Sequence, residues 1–408
     1  MKKSMQLYIH IPFCVKKCAY CDFLSFAADE RMQVSYVQAL QKELEVYGKE
    51  YRERYISTIF IGGGTPSWLD EKAMALILEC VYHNFTVAED AEITIECNPG
   101  TVSEQKFAVY KELGINRLSI GLQSADNEEL KVLGRIHTFE QFLRTYDRAR
   151  HYGFSNINVD LMSALPGQTP EGFIRSLKKV IRLKPEHISA YSLIIEEGTP
   201  FYEKYQRDVE RRDAGRQTEY LPTEEDEYET TKRTQQLLQA EGYHWYEISN
   251  YAKPGKECRH NIGYWKRADY LGVGIGAASL IDNVRYANTS DIYAYIKAMN
   301  ALNSADYNKK ILLHSNVLEM CRQMEKVAEP LSRGAQMEEF MFLGLRMIDG
   351  FHRSEFENHF GISIEGVYGD VIKALQQEEL LVQQAGHIRL TEKGIDVSNY
   401  ALAQFLLS

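Results

Sequence analysis

The feature that most constrains the fold is an alternation of short apolar segments with longer segments of helical periodicity, which starts near the first residue. Each short segment carries Ile, Val, Leu or Tyr and ends in a polar or Gly/Pro-rich turn, as a strand does. The six predicted strands are Leu7 to Ile11, Thr58 to Ile61, Glu92 to Cys97, Arg117 to Leu122, Asn156 to Leu161 and His187 to Leu193. The five helical segments between them are Ser35 to Tyr51, Asp70 to Asn84, Ser103 to Leu113, Thr138 to Tyr152 and Pro170 to Arg182. Successive βα units of this kind predict a parallel sheet.

The number of these units predicts an incomplete barrel. Six units are fewer than the eight of a closed (β/α)8 barrel, so we expect an α/β fold with a partial, open (β/α)6 barrel. Asp70, Ser103 and Thr138 stand just before three of the predicted helices and are residue types that cap helix N-termini. The helix starts are therefore specified locally as well as by periodicity.

The chain changes character after the sixth predicted strand. Tyr202 to Glu229 is dense in charge, which predicts a solvated connecting segment. His244 to Ile248 and Tyr270 to Ile281 resume an apolar pattern that we expect to complete the far edge of the sheet. From about Asn303 helices dominate, and a hairpin around Ala385-Gly386 indicates a small winged-helix-like C-terminal domain. The predicted parts are residues 1–240 (core barrel), 241–302 (barrel completion) and 303–408 (C-terminal domain).

Charge and hydropathy disfavour two classes of function. Lys and Arg number 47 against 57 Asp and Glu, a net charge of -10. Nucleic acid and anionic lipid select basic surfaces, so we do not expect nucleic acid among the partners. No apolar run approaches the roughly 18 residues that a membrane span needs. The expectation is a soluble, cytoplasmic protein.

Three of the seven cysteines lie within eight residues, as Cys14-x-x-x-Cys18-x-x-Cys21, directly after the first predicted strand. Loops in this position carry the sites of parallel-sheet proteins. Three thiolates suit a 4Fe-4S cube with one iron left open to another ligand, whereas an electron-transfer cube usually has four. A structural zinc ion needs four protein ligands, and no fourth Cys or His has suitable local spacing. The pattern favours a cluster over zinc.

This CxxxCxxC spacing, with the aromatic Tyr20 after Cys18, resembles the radical S-adenosylmethionine (SAM) superfamily. The resemblance implies a radical SAM barrel in which Cys14, Cys18 and Cys21 hold the cluster. It also implies that the amino and carboxylate groups of SAM chelate the open iron. An electron from the reduced cluster then cleaves the sulfonium to methionine and a 5′-deoxyadenosyl radical, chemistry that the cofactor supplies and the barrel orients.

Glycine and polar residues end the later strands, where they could be ordinary turns and helix caps or parts of one ligand site. Their convergence at one rim of the sheet favours a site. Within the superfamily, the segments YIHIPFCVKKCAYCDF, IFIGGGTPS, IECNPG, RLSIGLQS, LGRIH and NVDLMSALPGQT resemble the oxygen-independent coproporphyrinogen III oxidase family. The resemblance implies that SAM is contacted by Tyr8, Gly63, Gly64, Thr65, Glu96, Gln123, Arg135 and Asp160.

Two departures distinguish the chain from the oxidases. Phe23 stands where they have a further cysteine, and they carry a longer extension before the first strand. The chain is more similar to the sister group of HemW-type haem chaperones, whose HNxxYW motif is intact from His260 to Trp265. The resemblance implies haem binding at His260, and a neutral imidazole can ligate haem iron. From the residue alone, a buried and hydrogen-bonded histidine is the alternative.

The resemblance implies a haem chaperone that binds haem and transfers it to acceptor haemoproteins, and that carries a 4Fe-4S cluster with exchangeable SAM. The alternative is an oxygen-independent coproporphyrinogen III oxidase, which forms protoporphyrinogen IX by radical oxidative decarboxylation. No catalytic residue is assigned, and whether the chain is an enzyme stays open. A homodimer and a peripheral contact with membrane haemoproteins also stay open.

Overall fold

The structure, a computed structural model, describes residues 2–301 and 325–407. Its strands are β1 (Lys3–Ile11), β2 (Arg54–Gly63), β3 (Thr86–Cys97), β4 (Arg117–Gln123), β5 (Ile157–Ser163), β6 (His187–Ser192), β7 (His244–Glu247), β8 (Asn250–Ala252), β9 (Tyr270–Val273), β10 (Ala278–Ile281), β11 (Val284–Asn288), β12 (Glu325–Pro330), β13 (Phe351–His352), β14 (Leu381–Gln384) and β15 (His387–Leu390). Its helices are α1 (Glu30–Glu50), α2 (Glu71–Asn84), α3 (Glu104–Glu112), α4 (Asn127–Val132), α5 (Phe139–His151), α6 (Pro170–Ile181), α7 (Pro200–Asp213), α8 (Glu224–Ala240), α9 (Arg259–Trp265), α10 (Ile292–Ala301), α11 (Arg333–Gly344), α12 (Arg353–Phe360), α13 (Ile364–Gln377), α14 (Glu392–Asp396) and α15 (Ser398–Ala403).

The six predicted strands form the centre of one large sheet. Strands β1 to β6 pair in sequence order and in parallel, and the sheet does not close on itself. The predicted caps are also confirmed, since the side chains of Asp70, Ser103 and Thr138 accept hydrogen bonds from the first turns of α2, α3 and α5. The prediction of an α/β fold with an open, partial barrel is therefore confirmed.

The prediction that two later segments complete the far edge of the sheet is confirmed for His244 to Ile248 and wrong for Tyr270 to Ile281. Strands β7 and β8 extend the edge beyond β6, whereas β9 pairs with β1 and continues through β10, β11 and β12 at the opposite edge. The physical reason is the position of α9. This helix lies between β8 and β9 in the chain and takes the chain across the sheet from one edge to the other. There the amide of Gln6 on β1 donates to the carbonyl of His260 (3.1 Å).

The charged segment from Tyr202 to Glu229 is not a solvated connection throughout. Helix α7 buries Phe201 and Tyr205 in a small apolar cluster, because these two residues are four apart and share one helix face. The carboxylate of Asp208 is also buried and accepts hydrogen bonds from three backbone N–H groups, at Glu219, Tyr220 and Leu221. One face of α7 is thus buried, although the composition of the segment predicts full exposure to solvent.

The C-terminal helices and hairpin have a hydrophobic core of their own, built around Phe356, Tyr368 and Ile388. The predicted turn Ala385-Gly386 is confirmed: both residues have positive φ (50° and 83°), as a two-residue hairpin turn between β14 and β15 requires. The boundary predicted at residue 303 lies outside the described residues, and β12 extends the large sheet. No helix in the described ranges is both long and apolar enough to cross a membrane.

Candidate functional site

The inner face of the open barrel and the loop after β1 enclose a cavity of about 610 Å³. This volume is within the range of small-molecule sites. The inner face is polar because alternate residues of each strand point into the barrel, while the others pack against the helices. Ten predicted site residues line this cavity: Cys14, Cys18, Cys21, Gly63, Gly64, Thr65, Glu96, Gln123, Arg135 and Asp160.

The cysteine loop is tied back onto the barrel by main-chain hydrogen bonds. The N–H of Cys14 donates to the carbonyl of Phe26 (3.0 Å), and Phe26 donates in turn to Pro12 (2.9 Å). Cys14 is buried, and its thiol lies 3.4 Å from the hydroxyl of Thr65. Arg135 Nη1 is 3.6 Å from the sulfur of Cys18. The loop therefore presents its thiols to one wall of the cavity, beside a cation.

The described residues do not present a zinc site. Zinc ligands converge on one point at about 2.0 to 2.3 Å. No three Cys, His, Asp or Glu side chains in the described ranges are placed to hold a single metal ion. Cys14, Cys18 and Cys21 all line the same cavity, and a set of three thiols suits a 4Fe-4S cluster with one open iron.

Two glycines at the end of β2, Gly63 and Gly64, allow close packing against β1 and the cysteine loop. Gly63 has a φ of +114°, and a Cβ there would lie 2.5 Å from the ring of His10. A Cβ on Gly64 would lie 2.9 Å from the carbonyl oxygen of Phe13 and 3.1 Å from the sulfur of Cys14. These positions are thus more than an ordinary turn, because a side chain at Gly63 would clash with His10 on β1 and one at Gly64 would push the cysteine loop away.

Two half-buried carboxyl groups face the cavity from neighbouring parts of the sheet. Glu96, near the end of β3, accepts a hydrogen bond from the N–H of Gly63 (3.0 Å), and burial together with Asp160 raises its pKa to about 8. Burial also raises the pKa of Asp160, whose carboxylate accepts from the amide of Asn158 (2.7 Å). Glu96 can therefore hold or release a proton near neutral pH, and both carboxyl groups offer acceptors to hydroxyl or ammonium groups.

Arg135 and Gln123 complete this side of the cavity. Arg135 donates to the carbonyl of Gly121 (2.6 Å) and to Asn98, while its Nε has no hydrogen-bond partner among the described residues. Gln123 ends β4 with a φ of 70°, a conformation that non-glycine residues rarely adopt, and its amide oxygen accepts from Tyr191 (2.9 Å). A strained glutamine and a partly unpaired guanidinium at one place are typical of a ligand site.

Tyr8 and His260 are not among the residues that line the cavity. Tyr8 contacts the ring of His10 (3.0 Å), which lies behind Gly63. His260 is 1% exposed, and its two ring nitrogens lie 2.7 Å from the hydroxyl of Thr58 and 2.9 Å from that of Tyr264. Within the same motif, Asn261 and Trp265 are the residues that face the cavity. The structure thus places the histidine behind the wall and two of its neighbours on it.

Several cavity residues were not identified from the sequence. Arg117, Ser119 and Gly121 follow a period of two along β4 towards Gln123, so this alternation could have marked the inner face. Four further residues reach the cavity from β7, β8, the end of α9 and the turn after α11, and among them the sequence marks only Trp265, through the HNxxYW motif. We call these four residues the edge cluster: Glu247, Asn250, Trp265 and Arg346.

Comparison with known proteins agrees with this geometry. Residues 8–180 match the profile of the radical SAM superfamily, and residues 331–397 match that of the HemN C-terminal domain. The fold and the cysteine-lined cavity are therefore those of a radical SAM protein, a class whose domain implies a 4Fe-4S cluster and SAM.

Relatives over the full length define the family more closely. The chain is 34% identical to the heme chaperone HemW of Lactococcus lactis (100% of this chain, 98% of that protein) and 36% identical to that of Escherichia coli (98% of each). It is 34% identical to HemW of Bacillus subtilis, again over 98% of each. The chain belongs to the HemW family, which confirms the resemblance seen in its motifs.

A solved structure shares the whole fold. The coproporphyrinogen III oxidase HemN of Escherichia coli, described as a radical SAM enzyme, aligns with a TM-score of 0.81 and 22% identity over 99% of this chain and 90% of that one. At this identity the likeness shows the fold, including the helical C-terminal domain.

Proposed function

We propose that this chain is a cytoplasmic haem chaperone, which binds haem in the barrel cavity and passes it to acceptor haemoproteins. The observation that carries the proposal is the full-length likeness, at 34 to 36% identity, to proteins named heme chaperone HemW. The cavity supports it, since aromatic Phe60 and Trp265 share the wall with cationic side chains, and a porphyrin has a flat apolar face and carboxylates.

The cysteine loop fits a 4Fe-4S cluster with exchangeable SAM. Cys14, Cys18 and Cys21 would hold the cluster, which together with SAM supplies one-electron reductive chemistry when both are bound. The chain's own residues would orient the SAM: Arg135 faces a carboxylate and Glu96 an ammonium or hydroxyl group. The other proposed SAM contacts are Gly63, Gly64, Thr65, Gln123 and Asp160, with Tyr8 acting through His10 behind the glycines.

His260 is the proposed haem ligand, and its surroundings set a condition on binding. Burial, with a contribution from Arg117, lowers the pKa of His260 to about 3, so the imidazole is neutral and able to ligate iron. Its Nε2, however, is paired with the hydroxyl of Tyr264. Haem ligation therefore requires Tyr264 to turn away and open a path from the cavity.

An anaerobic haem titration of the cluster-reconstituted protein, followed by the Soret band, tests this assignment. We expect stoichiometric binding by the parent and at least about tenfold weaker binding by His260→Ala, a loss of about 1.4 kcal/mol or more. The matched variant Tyr264→Phe keeps the ring but frees Nε2, so it should bind haem at least as tightly as the parent. Cys14→Ser serves as the cluster control, because it should lose the cluster absorbance.

Other results would redirect the proposal. Equal haem affinities of the parent and His260→Ala would show that another residue ligates the iron, and would leave the proposal of a haem carrier intact. A parent that binds no haem but forms protoporphyrinogen from coproporphyrinogen III in anaerobic turnover would be an oxidase instead. Transfer is tested separately by mixing the haem-loaded protein with an apo-haemoprotein and following the Soret band of the acceptor.

A further inference from the structure

The edge cluster contains an arginine whose hydrogen-bonding capacity is largely unused. Arg346 comes from the turn after α11, and its guanidinium lies over the ring of Trp265, 4.4 Å from the ring centroid. The nearest carboxylate oxygen, on Glu247, is 3.9 Å away, too far for a hydrogen bond. Arg346 Nε has no partner among the described residues. The indole ring thus supports the guanidinium without engaging its N–H donors.

The neighbouring groups show the same deficit. Trp265 Nε1 and the side-chain oxygen of Asn250 are also buried and without a hydrogen-bond partner in the described ranges. Glu247 does not satisfy these donors: its Oε1 accepts from the N–H of Ser249 (2.9 Å) and from the amide of Asn250, and its Oε2 stays 3.9 Å from Arg346 Nη2. Arg346 Nε and Trp265 Nε1 are buried donors without an acceptor, so they indicate a ligand that supplies one, whereas the Asn250 oxygen is an unpaired acceptor.

We propose that Arg346, with the Nε1–H of Trp265, binds a carboxylate of the porphyrin cargo. A carboxylate accepts two parallel hydrogen bonds from a guanidinium and a further one from a neighbouring N–H, which matches the free donors. The indole ring beside it offers an apolar face to the macrocycle. The inference rests on the proposed function and adds a second anchor for haem, supplied by the C-terminal domain through the turn after α11.

The test compares haem with haem dimethyl ester, whose carboxylates are blocked, on the parent and on Arg346→Gln. We expect Arg346→Gln to bind haem about tenfold more weakly than the parent, and the parent to bind the ester about tenfold more weakly than haem. The ester should bind equally to the parent and to Arg346→Gln, because blocking the carboxylates already removes their hydrogen bonds to Arg346. Arg353→Gln is the matched control: Arg353 belongs to the same domain and makes an exposed ion pair with Glu365 (3.6 Å).

The outcomes separate this inference from the proposed function. Equal haem affinities of the parent and Arg346→Gln, or equal affinities of the parent for haem and its ester, would overturn the inference alone. A parent that binds no haem would contradict the proposed function, and the inference would fall with it. Binding of labelled SAM provides the last arm: a loss of SAM affinity in Arg346→Gln with unchanged haem affinity would assign the carboxylate to SAM and overturn the porphyrin site. If Arg346→Gln does not fold, the affinities of the parent for haem and for the ester still test whether a porphyrin carboxylate contributes to binding.

Discussion

At the scale of single residues, His260 illustrates how burial sets chemistry. Its ring is enclosed between Phe60, Thr58 and Tyr264, and its backbone N–H donates to Glu92 (3.1 Å). Removing the ring from water disfavours the imidazolium, and the positive charge of Arg117 adds to this effect. The residue is therefore a neutral hydrogen-bonding centre in the folded chain at physiological pH.

This burial predicts a specific loss of stability in acid. The unfolded chain takes up a proton at His260 near pH 6.5, whereas the folded chain does so only near pH 3, so stability falls as the pH drops between these values. His260→Gln should make the slope of unfolding free energy against pH shallower by up to about 1.4 kcal/mol per pH unit. Urea denaturation at several pH values measures the slope. His151→Gln, at an exposed position on α5, is the control, and an unchanged slope in His260→Gln would contradict the burial argument.

At the scale of elements, α9 determines the shape of the cavity. The helix has seven residues and is too short to be stable alone, so contacts with the strands must hold it. The amide of Gln6 donates to the carbonyls of Arg259 (3.2 Å) and His260 (3.1 Å), and Glu92 accepts from their N–H groups. Gly263 brings the helix close to Gln6, since a Cβ there would lie 2.0 Å from the Gln6 amide nitrogen.

The substitution Gly263→Ala should therefore destabilise the protein although alanine favours helices. The methyl group would displace the Gln6 amide and break both of its hydrogen bonds to α9, at a cost of about 2 kcal/mol. Gly369→Ala, in the middle of α13 with its nearest neighbouring atom at 3.8 Å, should stabilise by about 0.5 to 1 kcal/mol. Unfolding free energies from urea denaturation distinguish the two. Equal effects of both variants would mean that Gln6 adjusts freely and does not seat the helix.

At the scale of the whole molecule, a buried ion-pair network joins the C-terminal domain to the barrel. Glu339 on α11 pairs with Arg267 after α9 (3.0 Å) and with Arg285 on β11 (2.7 Å). Next to it, the N–H of Ile348 donates to the carbonyl of Tyr246 (3.1 Å). Because Arg346 lies between these contacts in the chain, the position of the proposed carboxylate site depends on the junction.

Glu339→Gln should weaken this junction. It removes the negative charge from between two arginines, of which Arg267 is only 3% exposed, and we expect a loss of about 3 kcal/mol. Glu365→Gln, which breaks the exposed pair with Arg353, should cost under about 0.5 kcal/mol. Thermal unfolding by circular dichroism gives the comparison, and limited proteolysis should cut Glu339→Gln sooner between the two domains. Indistinguishable behaviour of the two variants would show that the network does not hold the domains together.

Local signals predicted most of the central barrel and one side of the candidate site. The strands, the capped helices and the cysteine loop each follow from a period, a cap or a spacing within a few residues. The prediction for the charged segment was wrong in part, because Tyr205 and the preceding Phe201 are four positions apart and bury one face of α7. The order of the outer strands could not be predicted, because it depends on where α9 crosses the sheet.

The sequence by itself determined the class of site, since three cysteines after the first strand and glycines after the second are local features whose chemistry does not depend on distant contacts. Only the tertiary structure decided which residues face the cavity. It places His260 behind the wall and brings Arg346 onto it from a position 86 residues along the chain from His260. The contact between Trp265 and Arg346 depends on the packing of α9 and α11 and on the junction at Glu339. Packing between distant segments leaves no signal in the spacing of residues along the chain.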